Sequence, residues 1–541
     1  MSDTHVLSRF TRHHLRHVLH RSLVPQLPSA DFDIPLSNHQ VRSIWNNVQG
    51  DVFVLFPKVA ENFIFFTISN AAQFKQDLKG FTPSSSVNTV EKLVTISSAK
   101  EQGVWATGLI QSQIAFSRAG LNILGLTENI EDPRFDTRPM LSDMKFLGDS
   151  GPWYTPFVEG GLHGVFTIAA SSPDECDKAT ADLKAKFATS IVTTDKMTLK
   201  GRIRPDANKG HEHFGFKDGV SQPALRGLVE PHPGQIQADA GVVIMGYPGD
   251  PVLDDPTAQQ RPAWTRDGSL LVFRELEQDV VEFDAYLKEQ GPHWREFVHG
   301  ADVQPPLTNA EGADLFGAQM VGRWKSGAPI AKAHFRDDQQ LADNPDQVNN
   351  FDYSVPNVPM PTDRFCPFTA HTRKTMPRNL NPFMIPKFLE SVAVVRGGIP
   401  YGPEQERDAG ASLKDGIHER GLLFISYQSS LDNGFVQQSV PFANNDYFPV
   451  TSFSPTKHGQ DPIIGAPAPP PVQAQASGNV PSTGEVTVRI KNQAGESVDV
   501  AGFASRAPVE PTTAQPFFVT SRGGEYFFVP SVSLVKQISG L

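Results

Sequence analysis

Short phenylalanine-rich segments with the make-up of β-strands recur along most of the 541-residue chain, and this recurrence limits the fold more than any other feature. They are Val52–Phe56, Phe63–Ile68, Ile110–Phe116, Gly164–Ala169, Leu270–Phe273, Val392–Val395 and Leu422–Tyr427. Helical patterns lie between them at Ala71–Lys79, Ala119–Leu124, Pro173–Phe187, Glu275–Gln290 and Gly312–Gly322. The two kinds of segment mix without strict βαβ alternation. The expectation is therefore an α+β fold, with antiparallel sheets carrying helices on one face. The stretch Ala466–Thr483 (APAPPPVQAQASGNVPST) reads as an extended polyproline-like loop. Strand patterns return after it, at Glu485–Ile490 and Gly524–Val529, so the carboxyl end rejoins the folded body.

Composition closes off several functions. With 48 Lys+Arg against 59 Asp+Glu the net charge is −11, and no basic stripe runs through the body of the chain, which argues against general nucleic-acid binding. Only Cys176 and Cys366 are present, so a disulfide framework is excluded and a thiolate zinc site nearly so. No apolar stretch is long enough to span a membrane; even Val52–Ile68 is broken by Pro57, Lys58 and Glu61. Residues 1–28 carry Arg9, Arg12, Arg16, Arg21 and five histidines against one acid, Asp3, with no apolar core of a secretory signal. Residues 1–35 thus read as a basic extension. The absence of Asn-x-Ser/Thr sequons points the same way, toward the cytosol or an organelle.

Five segments concentrate chemistry. Gly215-Phe216-Lys217-Asp218-Gly219 holds an acid on a tight corner between two glycines, although Asp-Gly is also an ordinary turn pair. In Ala370–Arg378 a histidine, His371, precedes Arg373, Lys374 and Arg378, cations that suit an anionic group. Val394–Gly402 reads as a buried strand delivering Arg396 into a glycine-rich turn. Gly421–Ile425 is another apolar strand, and Gly459–Gly465 sets Asp461 before a proline turn.

In this order the five motifs closely resemble the dye-decolorising peroxidases, in particular their long fungal type. The likeness extends to Gln113–Ser117, Gly160–Ile168, Arg261–Leu276, Phe316–Lys332 and Arg522–Phe528, and runs from about Ile44 to Leu541. The resemblance implies a duplicated ferredoxin-like α+β fold with peripheral helices and one b-type haem in between. The domains would be residues 36–225 and 226–541. It implies that His371 ligates the iron and that Asp461 accepts a hydrogen bond from it, which makes the imidazole a stronger donor. Asp218 would be the acid–base residue and Arg396 its cationic partner on the peroxide side, with Leu422 and Phe424 as apolar lining. Arg378 would suit a haem propionate. The implied reaction reduces hydrogen peroxide and oxidises dyes, phenols and other aromatic one-electron donors through a ferryl intermediate. A carboxylate base implies an acidic optimum.

Family members pass electrons from bulky dyes through surface tyrosine or tryptophan. Tyr401 matches one such tyrosine. Where some relatives carry a surface tryptophan this chain has Phe442, which leaves nearby Tyr447 as a candidate replacement, the alternative being that Tyr401 and Tyr447 are both packing residues. The long fungal relatives imply export, against the missing signal. One subunit or a homodimer are both compatible with the chain. Two other readings are weighed: a haem-binding or iron-extracting protein, which would use the same His371 but has no need of the Asp218–Arg396 pair, and a metal hydrolase built on His211-Glu212-His213 with Asp206 or Asp218.

Overall fold

The computed structural model describes residues 36–102, 106–149, 151–296, 298, 303–358, 361–381, 383–404, 420–445, 447–449, 460–465, 488–491, 497–500 and 518–541. The basic extension 1–35 and the loop 466–483 lie outside the described residues.

The first half opens with helix α1 (Asn38–Asn47), held by a reciprocal cap between Ser37 and Gln40. Strand β1 (Ala60–Ile68), helices α2 (Ala71–Leu78) and α3 (Ser86–Glu101), and strands β2 (Gln111–Phe116) and β3 (Gly164–Ala170) follow. Helix α4 (Pro173–Lys186) then leads to β4 (Ile191–Val192) and β5 (Thr198–Arg202). The second half runs β6 (Ser269–Gln278), α5 (Val280–Gln290), α6 (Asn309–Val321), the short α7 (His371–Thr375), β7 (Val395–Tyr401), β8 (Gly421–Gln428) and β9 (Val519–Val529). The hydrogen-bonded order is β4-β1-β3-β2-β9-β6-β8-β7, with β5 also beside β1. Within each half the order is fourth, first, third, second, and every pairing named here is antiparallel. The same βαββαβ plan is used twice, so the duplicated ferredoxin-like α+β fold is borne out.

The phenylalanines explain why the strands read as apolar on both faces. Phe63 and Phe65 of β1 each lie 4.9 Å from Phe273 of β6, and Phe65 lies 6.1 Å from Phe527 of β9. The half-sheets thus face each other across a layer of rings. The pair Phe116–Phe528 joins them at one edge. At the other edge a Cβ on Gly201 of β5 would run into Ile399 of β7. Truncating a ring such as Phe65, which is fully buried, should cost about 3–5 kcal/mol. With this space filled, the cavity described below opens on the opposite face of the second half-sheet, where loops from the first half meet it. Helix α8 (Val532–Ser539) returns to the first half, with Ser533 N donating to Asn47 Oδ1 at 2.8 Å and Gln49 Nε2 donating to Pro530 O at 2.7 Å. The division placed near residue 225 falls in the connection between β5 and β6.

Three segments differ from the sequence pattern. Val52–Phe56 is a buried turn, not a strand: Asp51 adopts φ 75° and its Oδ1 accepts from Phe56 N at 2.6 Å, folding the run back on itself. Short apolar runs do not tell these states apart by pattern. Residues 275–278 extend β6 instead of opening a helix, which begins only at Val280. The strand-like run Val392–Val395 contributes only Val395. The strand continues to Tyr401 through two glycines and Pro400, which it tolerates at the edge of the hydrogen-bonded path. No helix among the described residues is long and apolar enough to cross a membrane.

Candidate active site

Alternation along β8 builds the floor of the site. Leu422, Phe424 and Ser426 line a cavity of about 350 Å³, while Leu423, Ile425 and Tyr427 face the core. Residues directly opposite on neighbouring strands share a face. Phe424 sits between Gly398 of β7 and Arg274 of β6, Leu422 opposes Leu276, and Ser426 opposes Arg396. Leu422, Phe424, Arg396, Arg274 and Leu276 therefore project into one space.

Asp218 reaches that space from the glycine-bracketed loop. Its Oδ1 accepts from Arg396 Nη1 at 2.7 Å and from Gly219 N at 2.6 Å, which leaves Oδ2 as the free oxygen. A Cβ on Gly398 would sit 3.3 Å from Oδ2, so the glycine keeps that oxygen accessible. Gln222 fixes the other partner: its Oε1 accepts from Arg396 N at 3.1 Å and its Nε2 donates to Arg396 O at 2.5 Å. Burial alone would raise the Asp218 pKa. Arg396, the Gly219 N–H and, less strongly, His371 carry it below the ordinary carboxylate value. The loop is tied down further back by Glu212, whose carboxylate accepts from Phe214 N, Phe216 N and Gln278 Nε2 at 2.8, 2.7 and 2.5 Å.

His371 opens α7 and lines the same cavity. Its Nδ1 bonds Asp461 Oδ2 at 2.8 Å. Asp461 is fully buried, and its Oδ1 accepts from Ile463 N at 2.8 Å and Ile464 N at 3.1 Å. With Nδ1 committed, Nε2 is the ring atom left for a ligand, and the carboxylate sets that tautomer.

The cationic run after His371 splits. Arg378 lines the cavity, with Nη1 donating to the carbonyls of Gly234, Asn349 and Phe351. Arg373 and Lys374 do not. Arg373 is fully buried between the rings of Tyr353 and Phe368, each 4.3 Å away, and Lys374 Nζ donates to the carbonyls of Asn445 and Phe448. Five-residue α7 can turn only part of its surface to the cavity, so neighbouring cations in sequence diverge in space. Arg323, given no role above, takes their place. It lines the cavity, and burial together with the nearby Arg378 pushes its pKa down to about 9. The only sequence signal for it was its position in the family-like stretch Phe316–Lys332.

Among the described residues four arginines, 274, 323, 378 and 396, thus share a largely apolar cavity with one histidine, and for Arg323 and Arg378 the hydrogen-bond acceptors within bonding distance include no carboxylate. This donor set fits a flat apolar macrocycle that carries a metal for the imidazole and carboxylates for the cations. Haem has those parts.

Tyr401 ends β7 and points away from the cavity, five positions beyond Arg396. Burial and the carboxylates of Glu275 and Glu277 push its phenol pKa well up. Tyr447 is half-buried beside Phe448, and neither tyrosine lines the cavity. Phe442 is buried and stacks on Phe448 at 3.8 Å. The hydrolase reading fails on geometry. His213 Nε2 bonds Tyr401 O at 2.9 Å, His211 Nδ1 faces Lys209 O, and Glu212 is spent on backbone N–H groups. Among the described residues no group of three His, Cys, Asp or Glu could hold a metal.

Comparisons with known proteins converge on one family. The DyP dimeric alpha+beta barrel domain matches residues 47–205. A dye-decolorizing peroxidase of Exidia glandulosa is 38% identical over 90% of this chain and 85% of its own length. Dye-decolorizing peroxidase AauDyP1 of Auricularia auricula-judae is 36% identical over 91% of this chain and 86% of its own. Among solved structures, an ancestral D-type dye-decolorizing peroxidase superposes with a TM-score of 0.74 at 35% identity, covering 92% of this chain and 99% of that one. A dye-decolorizing peroxidase in complex with 2,6-dimethoxyphenol gives 0.71 at 34% identity, with the same coverage.

Proposed function

The chain belongs to the dye-decolorising peroxidase family, and from that premise we propose that Asp218 and Arg396 activate peroxide at a b-type haem, one per chain, that His371 would hold. The protein is a haem-dependent peroxidase that reduces hydrogen peroxide and oxidises dyes, phenols and other aromatic one-electron donors. Haem, when bound, supplies the iron at which the O–O bond breaks and the oxidising equivalents are stored.

The chain's residues supply the rest. Asp218 Oδ2 takes the proton of bound peroxide and returns it to the leaving oxygen. The Arg396 guanidinium, oriented through Asp218 and Gln222, stabilises the negative charge that grows on that oxygen. Leu422 and Phe424 keep the pair in a dry setting that strengthens its electrostatics. Arg323 and Arg378 would meet the carboxylates of a bound haem, and Asp461 keeps His371 in the tautomer that donates from Nε2. The observation that carries this reading is the free Oδ2 of Asp218 beside Arg396, in one cavity with an imidazole whose other nitrogen is already taken.

Arg396→Leu tests it. The variant should retain haem, react slowly with peroxide, and show its acid limb at higher pH. The sign follows from the pair: the lowered pKa keeps the Asp218 carboxylate ionised, and its function is lost only as pH falls through that lowered value. Without the cation, burial dominates and the carboxyl protonates at higher pH. An unchanged rate and an unmoved acid limb in a rapid-mixing pH series would remove Arg396 from the reaction. Asp461→Asn should keep the haem and raise its reduction potential, because an amide draws less proton density from the imidazole. An unaltered potential in a spectroelectrochemical titration would separate Asp461 from the ligand's tuning.

For donors too large for the cavity, Tyr401 or Tyr447 relays the electron. Replacing the relay tyrosine by phenylalanine should lower turnover of a bulky dye several-fold and spare a small phenol. Equal loss on both substrates would mark damage to the cavity. Export from the cell is the location the family resemblance supports, and assay of the culture medium checks it.

A further inference from the structure

The cavity has a second polar end, away from Asp218. Leu147, Gly148 and Asp149 from the first half close it where Arg274 of β6 and Ser521 of β9 reach in. Arg396 stands on β7, two strands from Arg274, so the ends are roughly 10 Å apart at about 4.8 Å per strand. Arg274 Nη2 donates to Asp149 Oδ1 at 2.6 Å, with both side chains more than nine-tenths buried. Asp149 Oδ2 is buried and has no partner. Trp153 Nε1 and Ser521 Oγ face the same carboxylate, yet neither reaches hydrogen-bond geometry with it or with any other group. On the cavity wall Asp149 Oδ2 and Ser521 Oγ are thus left side by side without a hydrogen bond, an arrangement that is costly unless something fills it. Next to them the wall is apolar, made by Leu276, Phe424 and Phe435.

We propose that this end binds the hydroxyl of a small phenol, Asp149 Oδ2 accepting its O–H while Ser521 Oγ donates to its oxygen and the ring lies on Leu276, Phe424 and Phe435. The charges select against other ligands. Asp149 opposes a carboxylate and Arg274 opposes an amine, whereas a neutral hydroxyl meets an acceptor and a donor at once. This rests on the peroxidase reading and extends it. On oxidation the phenol gives one electron to the peroxide-oxidised centre and its O–H proton to Asp149 Oδ2, and a neutral phenoxyl radical leaves. Burial makes Asp149 a better base than an ordinary carboxylate, with Arg274 opposing the shift. Asp149 is then the proton acceptor for reducing substrate, separate from Asp218, which serves peroxide.

The test uses the haem-loaded ferric enzyme without peroxide and follows paramagnetic broadening of the ring protons of phenol and of anisole, which lacks the O–H. Wild type should broaden phenol saturably and bind anisole roughly tenfold more weakly, the worth of one charge-assisted hydrogen bond. Asp149→Asn and Ser521→Ala should each weaken phenol binding. In Asp149→Asn the ratio of kcat/KM for phenol to that for a bulky dye should fall at least about tenfold, the scale of a lost proton acceptor. If Asp149→Asn fails to hold haem because Arg274 loses its partner, Ser521→Ala, which keeps the ion pair, carries the binding test. Equal affinity for phenol and anisole, or unchanged phenol affinity in both variants, would mean that water alone fills this end and would overturn the proposal. Wild-type protein that binds phenol but oxidises no donor with peroxide would instead overturn the peroxidase reading and leave the subsite standing.

Discussion

Exchanging Asp218 for asparagine should slow the reaction with peroxide by roughly 10²–10⁴-fold, the usual contribution of a positioned acid–base group. The exchange is nearly isosteric. An amide oxygen in the place of Oδ1 still accepts from Arg396 Nη1 and Gly219 N, so the loop and the guanidinium keep their positions. What disappears is the second oxygen as a proton acceptor. Haem content should stay near wild type, because no residue assigned to haem binding is touched. Rapid mixing with peroxide at several pH values measures the effect. A rate within about twofold of wild type would move the proton transfer to another group, and Glu212, held on the same loop, would be examined first.

Replacing His371 by alanine should have an effect of similar size by a different route: most of the haem is lost, and peroxidase activity with it. Among the described residues that line the cavity the imidazole is the one histidine, and its partner Asp461 is fully buried. Removing the ring leaves Asp461 Oδ2 without its donor. That should cost the apoprotein about 1–3 kcal/mol as well. The pigment-to-protein absorbance ratio after gel filtration measures retention, and thermal unfolding measures the second effect. Added imidazole should restore part of both, since it can occupy the vacated space and meet Asp461. Wild-type haem content without imidazole would exclude His371 as the ligand.

Much of this site was legible in the sequence because its parts sit in local motifs. Asp218 lies between two glycines, Arg396 precedes two, and Asp461 precedes a proline turn; each is a place where backbone chemistry marks itself in residue types. The pairing of such residues was not legible. The 178 positions between Asp218 and Arg396 and the 90 between His371 and Asp461 are bridged only by the fold. The cationic run after His371 misled for the same reason. Charge in sequence does not tell which side of a five-residue helix each residue takes, so Arg373 and Lys374 were credited with a role that Arg323 shares with Arg378. Asp149, Arg274 and Ser521 belong to none of the five motifs: Arg274 and Ser521 are brought together by cross-strand register, and Asp149 joins them from a loop of the first half. In the fold, amphipathic and Phe-rich patterns gave the strands well where packing follows pattern. They failed at Val52–Phe56, where one carboxylate, Asp51, turns an apolar run into a loop, and at β7, whose glycines and proline hide a strand.

The central claim is that the cavity beneath β8 binds haem and turns it over with peroxide through Asp218, Arg396 and His371. The most direct test is a single-turnover absorption experiment on protein reconstituted with one equivalent of haem. One equivalent of peroxide should change the Soret band fully and rapidly in wild type, and a phenolic donor should return it to the starting spectrum with two donors oxidised per peroxide. The change should be slow in Asp218→Asn and Arg396→Leu. A Soret band that bleaches with release of iron and no donor oxidised, or one equally fast in all three proteins, would contradict the account.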